Sequence, residues 1–189
     1  MLAFIGVRPG MAALDISAGG GYTTELIARA VGPAGRVYAQ TARASPRLAE
    51  RVKNPALGNI VPVQRPFDDP VPPQAAADAL DLVTLMFNYH DFGHMGVDRA
   101  RLNKAVFAAL KPGGMYVIAD HSGRHGSGIS ESGTLHRIEE AFLRKEVEAA
   151  GFRLAAEGNF LRNPRDPRDR ETPEPPQPKD EFVLKFVKP

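Results

Sequence analysis

The order of apolar and polar residues constrains this chain more than any other feature. Short apolar segments such as MAALDI (11–16) and LDLVTLMFNYH (80–90) alternate with stretches whose apolar residues recur at helical spacing. This alternation is typical of strand–helix–strand units, in which helices cover both faces of a parallel sheet. The last two apolar segments, 152–161 and 181–188, read as paired strands. The sequence therefore predicts an α/β fold with a seven-stranded, mostly parallel sheet that ends in an antiparallel hairpin.

Helical patterns and prolines complete this outline. Helices are predicted at 22–31, 45–54, 97–110 and 134–150, with Ser45 as the N-cap of the second. On the last helix, Arg137, Glu139 and Glu140 fall on the charged face that we expect to be exposed. We expect one domain over residues 1–189, because neither a repeat nor a second domain is evident. The proline-rich stretch at about 162–180 predicts an extended surface insertion without a core of its own.

Composition excludes several classes of function. The chain has 189 residues, 43% hydrophobic and 24% charged, with a formal net charge of only +2. Because basic and acidic residues are interspersed, we expect no nucleic-acid partner. The absence of cysteine excludes disulfides, thiol catalysis and cysteine-based metal sites. No apolar run is long enough to span a membrane and the first residues lack a signal-peptide pattern, so the sequence predicts a cytoplasmic protein without a membrane partner.

The stretch LDISAGGGYTTEL (14–26) is the strongest candidate for a ligand-binding loop. Glycines after a strand allow a close approach of the backbone, and the following helix N-terminus favours polar or anionic groups. A dinucleotide loop requires a third glycine where Thr24 stands. The pattern is instead D-x-S-x-G-x-G, formed by Asp15, Ser17, Gly19 and Gly21.

Three stretches together resemble class I S-adenosylmethionine (SAM)-dependent methyltransferases. They are this loop, GVRPGMAALDI ahead of it, and LKPGGMYVIAD at the fifth strand. More narrowly, NYHD, ADHSG, TLHRIEEA and FLRNPRDPRD resemble a group of bacterial predicted methyltransferases of unassigned substrate. Relatives in that group often carry an export signal that is absent here. The resemblance implies a Rossmann-like fold, SAM as the cofactor and methyl transfer to the oxygen, nitrogen or sulfur of a small-molecule acceptor.

The resemblance also implies which residues hold the cofactor. Gln40 stands where most relatives carry the acid that binds the ribose hydroxyls, and the lost charge assistance costs about 1 kcal/mol. The full set of expected cofactor contacts is Asp15, Ser17, Gly19, Gly20, Gly21, Tyr22, Gln40, Asp68 and Asn88.

Histidines and acids collect at the ends of the fourth and fifth predicted strands. His90 or His121 is the candidate general base, with Asp91 or Asp120 orienting it, because imidazole titrates near neutral pH. Two other interpretations are a divalent-metal site formed by His90, Asp91 and His121, with Asp120 as a further ligand, and a structural role in bracing the sheet edge. Of the three, we assign the first, and no metal ligand is assigned.

Two other functions compete with methyl transfer. Ser17 and Gln40 depart from the methyltransferase pattern, which is compatible with a SAM-binding or vestigial protein that does not catalyse. Neutral Gln40 with Arg43 nearby also fits an NADP-dependent oxidoreductase, in which a basic residue meets the 2′-phosphate.

Overall fold

The computed structural model describes all residues, 1–189, and contains one seven-stranded sheet. Its strands are β1 (Ala12–Ile16), β2 (Arg36–Thr41), β3 (Ile60–Gln64), β4 (Leu80–Met86), β5 (Leu110–His121), β6 (Arg153–Gly158) and β7 (Glu181–Val187). The spatial order is β3-β2-β1-β4-β5-β7-β6. The first five strands pair in parallel, whereas β7 is antiparallel to both β5 and β6. The predicted α/β class, strand number and closing antiparallel pair are confirmed.

Five helices accompany the sheet. They are α1 (Leu2–Ile5), α2 (Tyr22–Val31), α3 (Pro46–Arg51), α4 (Arg99–Ala109) and α5 (Glu140–Glu148). The Ser45 side chain accepts a hydrogen bond from the Leu48 amide at 3.2 Å, which confirms the predicted N-cap of α3. No helix in the structure has the length and apolar character needed to cross a membrane.

Apolar side chains fill both faces of the sheet. On one face, Ile27 and Val31 of α2 belong to a buried cluster with Leu82 and Val117 from the sheet. The second cluster, on the other face, includes side chains of α4 and α5 packed with sheet residues such as Leu14, Val83 and Ile118. Because β1 and β4 are covered on both faces, they are central strands, and their carboxyl ends open at one rim of the sheet.

The helix predicted at 134–150 starts later than expected. Ile138 forms a parallel bridge with Ser122, and α5 begins only at Glu140. His136 has a φ of 51°, a left-handed backbone conformation that a right-handed helix does not contain. The residues before α5 therefore extend the rim of the sheet.

Arg137 contradicts the expected exposure of that segment. Its side chain is fully buried, and its Nη1 lies 2.9 Å from Asp166 Oδ2. Asp166 belongs to the proline-rich stretch, so a buried ion pair attaches that stretch to the sheet. Asp180, at the far end of the stretch, donates its amide to Asp166 Oδ2 at 2.6 Å. The insertion thus has no apolar core but does have a buried polar attachment.

Candidate functional site

Asp15 lies beneath the glycine loop. Its two carboxylate oxygens accept hydrogen bonds from Thr24 Oγ1 at 2.6 Å and from Thr84 Oγ1 at 2.8 Å. Burial raises the pKa of Asp15 to about 6, although the two threonine hydrogen bonds oppose that change. The carboxylate therefore joins β1 to the start of α2 and to β4, and it supports the loop from below.

The loop backbone has the conformation that its glycines predict. Gly19 and Gly21 have φ angles of 56° and 79°, and Ser17 adopts 56° without being glycine. A Cβ on Gly21 would lie 2.7 Å from Leu48 Cδ1, so this glycine is also needed for packing against α3. The amides of Gly19 and Gly20 make no hydrogen bond within the chain. Two free donors are therefore available to a ligand at the start of α2.

Two hollows lie at the carboxyl ends of the strands near the glycine loop, and one of them adjoins the loop. One has a volume of about 430 Å³ and includes Ser17, Gly19, Thr41 and Phe67 in its lining. The other, of about 840 Å³, extends past β3 to Asp68 and Met95. The lining residues common to both are Ala42, Arg43 and Phe67. Together they form one open trough at the edge where ligands bind in open α/β sheets.

Gln40 does not line this trough. Its side chain is fully buried, with Oε1 accepting from the Ser17 amide at 2.9 Å and Nε2 donating to the Arg65 carbonyl at 2.7 Å. Because side chains alternate along a strand, the next residue, Thr41, points to the other side and lines the 430 Å³ hollow. In the structure Gln40 therefore braces the loop against β3, and its neighbour Thr41 lines the hollow.

Three other expected cofactor contacts lie apart from the 430 Å³ hollow. Gly20 and Tyr22 line a separate hollow on the far side of the loop, and Tyr22 is 70% exposed. Asp68 borders the 840 Å³ hollow and pairs with Arg101 at 3.2 Å.

Asn88 connects the glycine loop to the histidine-rich turns. Its Oδ1 accepts from Ser17 Oγ at 2.6 Å, and its Nδ2 donates to Asp91 Oδ2 at 2.9 Å. Asp91 in turn contacts two imidazoles, His136 Nδ1 at 2.7 Å and His90 Nε2 at 3.1 Å, through its Oδ1 atom. A continuous polar chain therefore joins the two predicted halves of the site.

Asp120 fixes the position of His90. Its Oδ1 lies 2.5 Å from His90 Nδ1, and its Oδ2 accepts the His90 amide at 2.8 Å. Both side chains are almost completely buried. The pair therefore holds the imidazole in one orientation, with Nε2 directed toward the neighbourhood of Asp91.

The remaining histidines differ in their surroundings. His94 lies with its ring edge-on to His136 at 5.7 Å, and its Nδ1 lies 3.0 Å from Ser132 Oγ, whose own proton is donated to the His90 carbonyl. His121 stacks on Phe87 at 5.4 Å, and its Nδ1 lies 3.0 Å from Glu181 Oε1. His125 is fully exposed and contacts only Glu139 among the acids. Four of the five histidines thus gather at the rim beside the trough.

Sequence reasoning did not identify several residues that build this site. Thr24 and Thr84 donate hydrogen bonds to Asp15. Ser132 connects His94 to His90, because the Ser132 hydroxyl donates to the His90 carbonyl at 2.6 Å. The exposure of Thr41 to the hollow could have been predicted from the alternation of side chains along β2, because Thr41 directly follows the buried Gln40. No local pattern marks Ser132, because its partners lie about forty residues earlier in the chain.

No protein-family model matches this sequence, and no curated protein matches it. Among solved structures, a SAM-dependent methyltransferase from Aquifex aeolicus has a TM-score of 0.72 at 18% identity, covering 100% of this chain and 87% of that one. Fibrillarin from Aeropyrum pernix with natively bound S-adenosyl-L-methionine has a TM-score of 0.62 at 19% identity, covering 96% and 68%. The [4+2]-cyclase SpnF has a TM-score of 0.72 at 15% identity, covering 100% and 78%.

This chain therefore has the fold of SAM-dependent methyltransferases. The likeness to a cyclase as well as to methyltransferases shows that the fold accommodates more than one reaction. The chemistry of this chain must accordingly be argued from its own site.

Proposed function

We propose that this protein binds SAM in the trough and transfers its methyl group to a small-molecule acceptor. The observation that carries the proposal is the polar chain from Ser17 through Asn88 to Asp91 and its histidines. It joins a glycine loop of the methyltransferase fold to a cluster able to position a polar acceptor.

The residues around the trough fit the cofactor. The free amide of Gly19, which lines the 430 Å³ hollow, is a donor suited to the carboxylate of its methionine part. The Thr41 hydroxyl can bond a ribose hydroxyl, and the Phe67 ring offers an apolar surface to the adenine. When bound, SAM supplies a methyl group that is already activated on a sulfonium. The residues of the chain then need only align the acceptor and remove its proton where it carries one.

The histidine cluster is suited to that second task. His90 is oriented by Asp120, whereas Asp91 and His136 are partly exposed and can meet an acceptor from solvent. His121, held between Phe87 and Glu181, lies next to His90 with ring centroids 5.4 Å apart. We therefore assign acceptor positioning and proton removal to this group. The formal net charge of only +2, with basic and acidic residues interspersed, supports a small acceptor rather than a nucleic acid.

Calorimetric titration of the full chain with SAM, S-adenosylhomocysteine and NADP tests the cofactor. We expect micromolar binding of the first two and at least a tenfold loss in Gly19→Asn, whose side chain would enter the 430 Å³ hollow. Gly10→Asn is the matched control, since Gly10 also has a positive φ and an uncrowded Cβ position but lies outside the trough. Asparagine tolerates that conformation at both positions.

The same titration separates the competing functions. Binding of NADP without SAM would establish the oxidoreductase and would give Arg43, which borders both hollows, the 2′-phosphate. Binding of SAM without turnover of any acceptor, in a screen that includes phenols, amines and thiols, would establish a non-catalytic SAM-binding protein.

A further inference from the structure

Three side chains at the rim present a set of ligand atoms that converge. His90, Asp91 and His136 each offer one such atom, and these atoms all lie within 4.8 Å of one another. The Asp91 oxygen lies 3.1 Å from His90 Nε2 and 2.7 Å from His136 Nδ1. Neighbouring ligands on one ion are about 3.0–3.4 Å apart when each bond is about 2.1 Å long and the coordination is octahedral or tetrahedral. The His90–Asp91 distance lies in that range, and the shorter His136–Asp91 contact, which is a hydrogen bond, would lengthen by a few tenths of an ångström around an ion.

The ring of His90 directs its free nitrogen at Asp91. Asp120 Oδ1 lies 2.5 Å from His90 Nδ1, so Nε2 is the ring nitrogen left for a ligand. Asp91 Oδ1 lies 3.1 Å from that Nε2, and the two atoms form no hydrogen bond with each other. Both atoms are therefore placed to bind one shared ion.

The charges of the cluster also lack a permanent counterion. The ion pairs of Asp91 are with His90, His94 and His136, and that of Asp120 is with His90. Neither carboxylate pairs with a lysine or arginine. The fully buried Asp120 is instead satisfied by the amides of His90 and His121 and by His90 Nδ1. Asp91 is the carboxylate whose ion pairs are with histidines alone, and a bound cation would complement its charge.

From these observations we infer that His90, Asp91 and His136 bind one divalent transition-metal ion. Two imidazoles and one carboxylate suit zinc, iron, cobalt or manganese and leave coordination positions open. Asp120 behind His90 and Asn88 behind Asp91 supply the outer hydrogen bonds that hold metal ligands in place. Because Asp91 and His136 are partly exposed, the open positions face solvent at the rim.

The role of this ion rests on the proposed function, whereas its binding does not. If the trough holds SAM, an oxygen of the acceptor would occupy an open position, where a metal lowers the pKa of a bound hydroxyl. The substrate class that this favours is a small acceptor with a hydroxyl or with two neighbouring oxygens. The metal site itself can be measured without cofactor or acceptor.

The test is a titration of the chelator-treated full chain with Co(II), Zn(II) and Mn(II) at neutral pH. We expect one equivalent of metal to bind with micromolar affinity, a visible absorption spectrum with Co(II), and a raised melting temperature in its presence. Asp91→Asn and His136→Gly should each weaken binding at least tenfold. Glycine suits the left-handed backbone at position 136, so this variant is expected to fold.

His125→Ala is the matched control, because it removes an exposed histidine outside the cluster and should leave the affinity unchanged. Absence of binding up to millimolar metal, or equal affinity in wild type and His136→Gly, would overturn the inference. A parallel SAM titration separates the two proposals. SAM binding without metal binding overturns only the metal site, and metal binding without SAM binding overturns only the methyltransferase.

Discussion

The Ser17 hydroxyl donates a hydrogen bond of 2.6 Å to Asn88 Oδ1 and thereby joins the turn after β1 to the turn after β4. Ser17 holds this position with a φ of 56°, which non-glycine residues seldom adopt. The loop therefore retains an unfavourable backbone conformation in exchange for a polar connection to the histidine cluster. A glycine at this position would relieve the conformation but would lose the connection.

This exchange predicts different outcomes for two small substitutions of Ser17. Ser17→Ala loses the hydrogen bond and keeps the left-handed strain, so we expect it to be about 1–2 kcal/mol less stable than wild type. Ser17→Gly loses the bond but relieves the strain, and should be about 1 kcal/mol more stable than the alanine variant. Urea unfolding measures both differences. Equal stability of the two variants would mean that the strain at Ser17 has no energetic weight.

A second prediction concerns the end of β2. Thr41→Asp places a carboxylate in the 430 Å³ hollow, where it can accept from ribose hydroxyls, and should tighten SAM binding several-fold. Gln40→Glu loses the donor to the Arg65 carbonyl and buries a charge, so it should destabilise the protein by about 1–3 kcal/mol. Calorimetry and urea unfolding test the pair. Tighter SAM binding by Gln40→Glu would show that residue 40 contacts the ribose after all.

The third prediction follows from the pKa of Asp15. Burial raises this pKa from 3.8 to about 6, so between these values the folded state binds more protons than the unfolded state. The contribution of Asp15 to stability must then fall as pH rises, by about 2 kcal/mol between pH 4.5 and 7.5. Asp15→Asn should lack this fall. The measurement is the free energy of unfolding of both proteins at the two pH values, and parallel changes would contradict the assignment.

The fourth prediction tests the buried attachment of the proline-rich stretch. Arg137→Met leaves the buried Asp166 carboxylate without its guanidinium and should cost about 3–5 kcal/mol. Trypsin should then cleave residues 162–180 faster than in wild type. Arg144→Met is the control, because Arg144 pairs with Glu148 at the surface and its loss should cost under about 1 kcal/mol. Similar losses in the free energy of unfolding of the two variants would show that burial does not strengthen the ion pair between Arg137 and Asp166.

Regular elements of this fold could be predicted from local pattern. The helix predicted at 22–31 is observed at Tyr22–Val31, and Pro62 correctly indicated that β3 is an edge strand. Strand β5 begins at Leu110, five residues before the apolar run at 115, because Leu110 pairs with Leu80 ahead of an irregularity in the register. That pairing depends on the neighbouring strand, so no local pattern indicates it.

The site was harder to predict because its decisive contacts are distant in sequence. Strand β2 is buried on both faces, so its apolar pattern does not show which of Gln40 and Thr41 faces the trough. Arg137 has the spacing of an exposed helical residue, and its burial depends on Asp166, which lies 29 positions later. His90 was a candidate from its place at a strand end, and Asp91 and Asp120 were both named as residues that could orient it. Asp120 could be chosen as the partner of Nδ1 only once β4 and β5 were paired.

The proline-rich stretch leaves the sheet and returns to it at almost the same point. Asp166 accepts the amide of Asp180 at 2.6 Å, and Ser122 donates its amide to the Asp180 carbonyl at 2.9 Å. The fourteen-residue separation between the two acids is thus closed by their own hydrogen bond. The two acids therefore fix the point at which the chain enters β7, and a change at either one would act on the register of that strand.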